Sequence, residues 1–315
     1  MKGIQIISTG RALPGRGMTN DDLSRLVETN DEWITTRTGI KNRYKCEDGE
    51  SCASLAVSAA RRAVEKGGID VRDIGAVIVA TSTPDTIFPT VAATIQKELQ
   101  LPEEVMAFDI SVACTGFLYG LKLAHGLLQT MNRKYVLVVG SEQLSRILDY
   151  RDRSTCILFG DGAGAAIIGA SDAQYVQKIW TRCDHDALNC QGVGGEDCFV
   201  HMRGNDVFKF AVTALEQALE EVLEEANCTL EDVDYVVCHQ ANLRIIQHVS
   251  KKYPAYADKF YINIDRYGNT SSASIPIAID ELTEANTDRT GMKLLCIGFG
   301  AGLTWSGAIV EVNRK

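Results

Sequence analysis

Three residues whose chemistry combines well stand where apolar runs give way to turns: Cys114 in "DISVACTGFLYGLKLAHGL", His239 in "VDYVVCHQANLRII" and Asn269 in "DRYGNTSSASIP". A cysteine between a strand and a long helix is a candidate nucleophile. Unpaired backbone N–H groups and the positive end of the helix macrodipole favour thiolate over thiol there, so the sequence predicts a thiolate near neutral pH. Small residues around "ACTGF" leave room for a substrate. Taken singly, each residue has a plainer reading: an inert buried thiol, a satisfied structural histidine, and a turn built on Gly-Asn.

What brings the three together is a repeat of about half the chain. The stretch "SLAVSAARRAVEKGGIDVRDIGAVIVATST" resembles "KFAVTALEQALEEVLEEANCTLEDVDYVVCHQA", each an amphipathic helix, a short acidic turn and a continuous apolar strand. Asp73 and Asp232 lie 232 − 73 = 159 apart, and "KYVLVVGSE" and "MKLLCIGFG" place Val136 and Leu294 294 − 136 = 158 apart. Strands that are apolar all round and alternate with helices imply sheets covered on both faces. Two similar α/β halves are expected, residues 1–170 carrying the cysteine and 171–315 carrying the histidine and asparagine. Superposing them puts Cys114 after the strand "VMAFDISV", Asn269 after the equivalent strand "KFYINIDRYG", and His239 at the close of "VDYVVC". Ligands collect at the carboxyl ends of strands in such sheets, so the three should converge.

The bulk composition sets the class. With 315 residues, 45% apolar, 23% charged and six prolines, the chain reads as globular and needs no disulfide staple. The start "MKGIQIISTG" alternates like a strand and then turns at glycine, unlike a signal peptide, and no run of about 18 apolar residues occurs. The expected setting is cytoplasmic, with the ten cysteines as reduced thiols. Cys183, His185, Cys190, Cys198 and His201 do not follow the spacing of zinc ligands, so no metal is expected. A net charge of −9 argues against a nucleic-acid binder but leaves room for a local basic patch. "GDGAG" at 160–164 runs into "AAII", another strand, and reads as a tight turn rather than a phosphate cradle.

Ordered along the chain, "NDEWITTRTGI", "VACTGF", "DRSTCILFGDGAGAAI", "MRGNDVFKFAV", "HQANLRII", "DRYGNTSSASIP" and "GFGAGLTW" resemble the thiolase superfamily, most closely the β-ketoacyl-acyl carrier protein synthase III family. The resemblance covers essentially the entire chain. It implies a thiolase-like duplicated αβαβα layered fold and a Cys114–His239–Asn269 set. Related groups carry a second cysteine or a second histidine in place of the asparagine, although plant-type polyketide synthases share Cys-His-Asn.

The implied activity starts fatty acid synthesis in two stages. Cys114 takes an acyl group, acetyl in the first instance, from acyl-CoA, and the acyl-cysteine then condenses with malonyl-acyl carrier protein as CO2 leaves. By the family pattern the oxyanion hole is the backbone N–H of Cys114 and of Ala301, where glycine is common. His239 and Asn269 would hydrogen-bond the malonyl thioester oxygen, and Phe299 would line the malonyl site, its other reading being a core aromatic. No cofactor is implied.

The same resemblance assigns carrier contacts. Trp33 and Arg153 would sandwich adenine, Arg37 meet a phosphate, Thr29 the adenine, and Gly204 and Asn205 lie near the pantetheine arm. Acyl carrier protein, an acidic partner, would dock on Lys209, Arg244, Lys251 and Lys252; the alternative is a solvated helix face. Phe88 would cross the interface of a homodimer into the neighbour's acyl pocket. The competing readings are a secondary-pathway relative using CoA substrates, a cysteine hydrolase, and a non-catalytic acyl-binding scaffold, which should have lost one of the three residues.

Overall fold

Segments such as Val77–Ala80 and Val136–Val139 are buried at every position, so their strands must be covered on both faces. The computed structural model, which describes residues 2–192, 194–287 and 291–313, shows how. In the first half run β1 (Gly3–Ala12), α1 (Cys52–Gly67), β2 (Ile74–Ala80), α2 (Val91–Glu98), β3 (Met106–Ile110), α3 (Gly116–Leu128), β4 (Tyr135–Glu142) and β5 (Gly162–Ser171). In the second run β6 (Val176–Thr181), α4 (Gly204–Glu225), β7 (Tyr235–Cys238), α5 (Leu243–Ser250), α6 (Ser274–Ala285), β8 (Gly291–Gly300) and β9 (Thr304–Asn313).

The pairing is the same in both. Strands β3, β2 and β4 are parallel, and β5 and β1 follow antiparallel. Strands β7 and β8 are parallel, and β9 and β6 follow antiparallel. The register repeats as well: Val77 stands opposite Leu137 and Val236 opposite Leu295, offsets of 236 − 77 = 159 and 295 − 137 = 158. A short parallel contact, Gln5 opposite Glu311 and Ile6 opposite Val312, joins the two half-sheets.

Helices α3 and α6 each touch strands of both half-sheets, whereas α1 covers β1, β4 and β5 and α4 covers β6, β8 and β9. With α2 beside α1 and α5 beside α4, the layers run α-β-α-β-α. Helix α1 shows why the sequence folds this way locally. Ser51 caps its first turn and shares a capping box with Ser54, Gly68 closes it at φ 58°, and the buried positions Leu55, Ala56, Ala59, Ala60 and Ala63 form one stripe.

Two expectations need correction. Strand β1 does not turn at Gly10 but continues to Ala12. A Cβ on Gly10 would sit 2.4 Å from the carbonyl oxygen of Ala59, so the glycine serves close approach of α1 rather than a turn. "KFYINIDRYG" is not a strand either: one bridge, Val236 to Phe260, replaces a ladder, and Ile264–Tyr267 is a helical turn. The pairing stops because the backbone N–H of Asn263 goes to the side chain of Gln240 instead of a neighbouring strand.

Replacing Gly10 by alanine should push α1 off β1. The expected cost is about 1–3 kcal/mol, read as a lowered urea midpoint; an unchanged midpoint would show that the approach is not tight.

Candidate active site

The nucleophile position is built by a turn rather than by the helix alone. After β3 the chain enters a 3-10 turn, Ala113–Thr115, which leads directly into α3. Ala113 sits at φ 45°, a left-handed conformation that costs a non-glycine residue of order 1 kcal/mol or more and persists only where surroundings enforce it. The enforcement is visible. Thr115 Oγ1 lies 2.9 Å from the carbonyl of Val112 and 2.7 Å from Thr304 Oγ1, tying the turn to the β8–β9 hairpin. Gly300, the last residue of β8, lies so close that a Cβ there would stand 2.9 Å from the nitrogen of Cys114. Ala301 follows it in the hairpin turn.

His239 and Asn269 arrive from the other half. Histidine 239 follows β7 directly, its nitrogen held by the carbonyl of Ile297, and its Nδ1 lies 2.6 Å from Ser274 Oγ at the start of α6. Its Nε2 is buried without a hydrogen-bond partner. Asn269 is held by three bonds: its backbone N–H to Leu158, its carbonyl from Gly160, and its Oδ1 from the N–H of Ser271 at 2.8 Å. The side-chain N–H groups are the part left over. Cys114, His239, Asn269 and Phe299 all line one narrow cavity of about 80 Å³. Phe299 meets the His239 ring edge-on, ring centres 5.4 Å apart.

Electrostatics correct one expectation. Burial pushes the Cys114 thiol up to about 12; hydrogen bonds from Ser271 and from its own backbone N–H pull the other way, and the nearby Glu142 adds to the rise. Desolvation of the anion thus works against the helix terminus and favours a resting thiol over a thiolate. Burial drives His239 down to about 3, so the imidazole is neutral throughout the physiological range. Ser274 Oγ is placed to donate to Nδ1, the arrangement that leaves the imidazole proton on the unpartnered Nε2.

The outlying residues fall into groups. Trp33 lies beneath two guanidinium groups, Arg37 at 4.4 Å and Arg153 at 5.0 Å from the ring centre, and Arg153 also donates to the carbonyl of Glu28. Thr29 carries a buried hydroxyl with no partner. Gly204 lines the catalytic cavity, with Asn205 exposed beside it. At the rim, Phe208 lines the cavity, Lys209 follows it exposed, and Arg244 lies over the Phe208 ring. Lys251 is exposed, whereas Lys252 is engaged with Glu216 at 2.6 Å. Phe88 is 82% exposed beside exposed Ile87 and does not line the cavity of its own chain. Among the described residues no group of three or more His, Cys, Asp or Glu side chains can hold a metal, and no helix is long and apolar enough to cross a membrane.

Some of the site escaped sequence reasoning. The cavity wall includes Leu188 and Met202, which pair in a two-stranded ribbon of three residue pairs, and Leu158, Phe159 and Ile245. Ser274, which orients the histidine, and Ser271, which holds the asparagine, sit in the run "SSAS" within the quoted motif, but serines there carry no signal apart from the fold.

The chain is similar to known proteins over nearly its whole length. The family profile for 3-oxoacyl-(acyl-carrier-protein) synthase III matches residues 108–185, and the profile for its C-terminal part matches 223–312. A β-ketoacyl-acyl carrier protein synthase III of Clostridium tetani is 42% identical, covering 98% of both chains, and one of Acholeplasma laidlawii is 45% identical, also covering 98% of both. Among solved structures, the 3-oxoacyl-acyl-carrier-protein synthase III of Aquifex aeolicus is 39% identical with a TM-score of 0.91, over 98% of this chain and 99% of that one. A priming β-ketosynthase of the R1128 polyketide pathway is 33% identical with a TM-score of 0.92, over 99% and 97%. With that identity across nearly its whole length and a shared thiolase-like layering, the chain belongs to the β-ketoacyl-acyl carrier protein synthase III family of condensing acyltransferases.

Proposed function

We propose that this chain starts type II fatty acid synthesis by condensing an acyl group, acetyl in the first instance, with malonyl-acyl carrier protein. The observation that carries the reading is one cavity lined by a buried thiol, a neutral histidine with an unpaired Nε2, and an asparagine whose side-chain N–H groups are left over once Oδ1 is held. In the first stage Cys114 Sγ attacks the thioester carbon of acyl-CoA. The C–S bond to CoA breaks, and the thiol proton ends on the departing CoA sulfur. Backbone N–H groups of Cys114 and Ala301 form the oxyanion hole in this reading, supported by the contact of Gly300 with the Cys114 nitrogen.

In the second stage the malonyl carboxylate leaves as CO2, and the electron pair passes into the thioester enolate. His239 Nε2–H and Asn269 Nδ2–H stabilise the enolate oxygen, with Phe299 packing the ring of the histidine. The enolate carbon attacks the acyl-cysteine, the C–S bond to Cys114 breaks, and uptake of one proton restores the thiol. Two neutral donors suit this charge development better than they suit activation of water, which favours condensation over hydrolysis. The chemistry draws on thioesters alone and asks for no cofactor.

The carriers are placed as follows. CoA lies along Trp33, Arg37 and Arg153, with Thr29 Oγ1 as an unsatisfied contact and Gly204 and Asn205 near the pantetheine arm. Acyl carrier protein docks on Lys209, Arg244 and Lys251 at the rim, and Lys252 contributes less because Glu216 holds it. The exposed Phe88 fits a homodimer in which it enters the partner's acyl pocket. The halves divide near residue 170, where β5 ends, and ten unbridged cysteines fit a cytoplasmic setting.

Intact mass after mixing with acetyl-CoA and longer acyl-CoAs should show an acyl group on Cys114, discharged by malonyl-acyl carrier protein into a 3-ketoacyl product. Discharge by water with the malonyl carrier intact would point to a hydrolase, and discharge equally well by malonyl-CoA to the secondary-pathway alternative. Because the thiol is raised, its alkylation by iodoacetamide should still be climbing at about pH 8.5, the ordinary thiol value; a plateau below it would show a thiolate held by the helix. Reversing Arg244 to glutamate should raise KM for malonyl-acyl carrier protein at least about fivefold, as for about 1 kcal/mol, in a salt-dependent way, while malonyl-CoA is unaffected. Equal loss with both substrates would place Arg244 outside the docking surface.

A further inference from the structure

The two halves carry the same elbow twice. At the offset of 158 found in the strands, Cys114 corresponds to Ser272 (272 − 114 = 158), and the 3-10 turn Ala113–Thr115 to the turn Ser271–Ala273. Ala113 and Ser271 correspond too, and both are left-handed, at φ 45° and 50°. Each turn opens one of the two central helices, and the turns pack against each other. The residue facing each turn differs. Gly300 lies against the first and leaves space; its counterpart at the second is Glu142 (300 − 142 = 158), the last residue of β4.

Glu142 is completely buried and is surrounded by donors. Its Oε2 accepts from the N–H of Ser82 at 3.0 Å and from Thr83 Oγ1 at 2.7 Å. Its Oε1 accepts from Ser271 Oγ at 3.2 Å and Ser272 Oγ at 3.0 Å. Ser272 Oγ has a second acceptor in the carbonyl of Ala80, and the N–H of Ser271 holds Oδ1 of Asn269. Glu142 thus links the strand ends of the first half to the one turn that fixes the asparagine of the second. Burial raises its pKa, while the bonds from Thr83, Ser82, Ser272 and Ser271 oppose the rise. The titratable groups facing it are the thiols of Cys114 and Cys52.

We propose that Glu142 is a positioning residue for the second stage of the reaction: its side chain fills the second elbow, pins Ser271 and Ser272, and thereby aims the Asn269 amide at the malonyl thioester. The role rests on the condensing function proposed above. Its effect on acyl transfer from CoA is smaller: Ser271 also reaches the Cys114 thiol, but the Cys114 turn has its own supports in Thr115, Thr304 and Gly300. A side chain with no contact to substrate therefore acts mainly on one half-reaction.

The test separates the halves of the reaction. Acylation of Cys114 is timed by intact mass with acyl-CoA, and discharge is timed after adding malonyl-acyl carrier protein, in wild type, E142Q, S272A, N269A and the double variant E142Q/N269A. E142Q and S272A should slow discharge about tenfold or more, as a misplaced donor does, with acylation changed far less, and E142Q should add little to N269A. Equal slowing of both stages, no slowing of discharge in S272A as well as E142Q, or full additivity with N269A would overturn the role. S272A keeps the test decisive should E142Q not fold. A wild-type chain that takes no acyl group would instead overturn the condensing function, and the role of Glu142 with it.

Discussion

Two backbone turns must touch, and nearly everything at the catalytic centre follows from that contact. Ala113–Thr115 and Ser271–Ala273 lie at the middle of a five-layer molecule, where no water replaces a lost hydrogen bond. Buried backbone and hydroxyl groups must therefore be satisfied internally. The threonines and serines around the turns do this, and in doing so they fix where a thiol, an imidazole and an amide point. The left-handed residues at both turns are held by the same packing rather than by local preference.

The same dryness sets the chemical state of the site. A low dielectric penalises the thiolate and the imidazolium alike, so the resting centre holds two uncharged groups. In the mechanism proposed above, charge at the cavity comes with the substrate, as a tetrahedral oxyanion or an enolate, and donors already in place meet it without rearranging. An asparagine suits such a set because it donates without titrating. A histidine in this environment behaves much like it.

How far the sequence could be read depends on whether a signal was periodic or local. Apolar strands at offsets of 158 and 159 survive into the register of the half-sheets, because burial on both faces leaves few other solutions. Cys114, His239 and Asn269 line one cavity, although the strand that was to carry Asn269 is absent and Cys114 corresponds to Ser272 instead. The strand expected at 259–268 failed because one side chain, Gln240, captured a backbone N–H that pairing needed. Gly10 misled because turn and close approach ask for the same residue. The thiolate failed because dipole effects are visible in a motif while burial is not. Ser274 and Glu142 were illegible for a related reason: their partners lie far along the chain, and a serine or a glutamate means nothing until they are known.

One wall of the cavity is mechanically unlike the rest. Leu188 and Met202 belong to a ribbon of only two strands joined by three residue pairs, whereas the residues opposite are anchored in the central layers. A wall of that kind deforms rather than excludes, and the flexible thioether of Met202, at the end of the ribbon away from its loop, adds compliance. A group pressed against this wall does elastic work on the ribbon that rises gradually with its size, instead of meeting a hard limit set by volume.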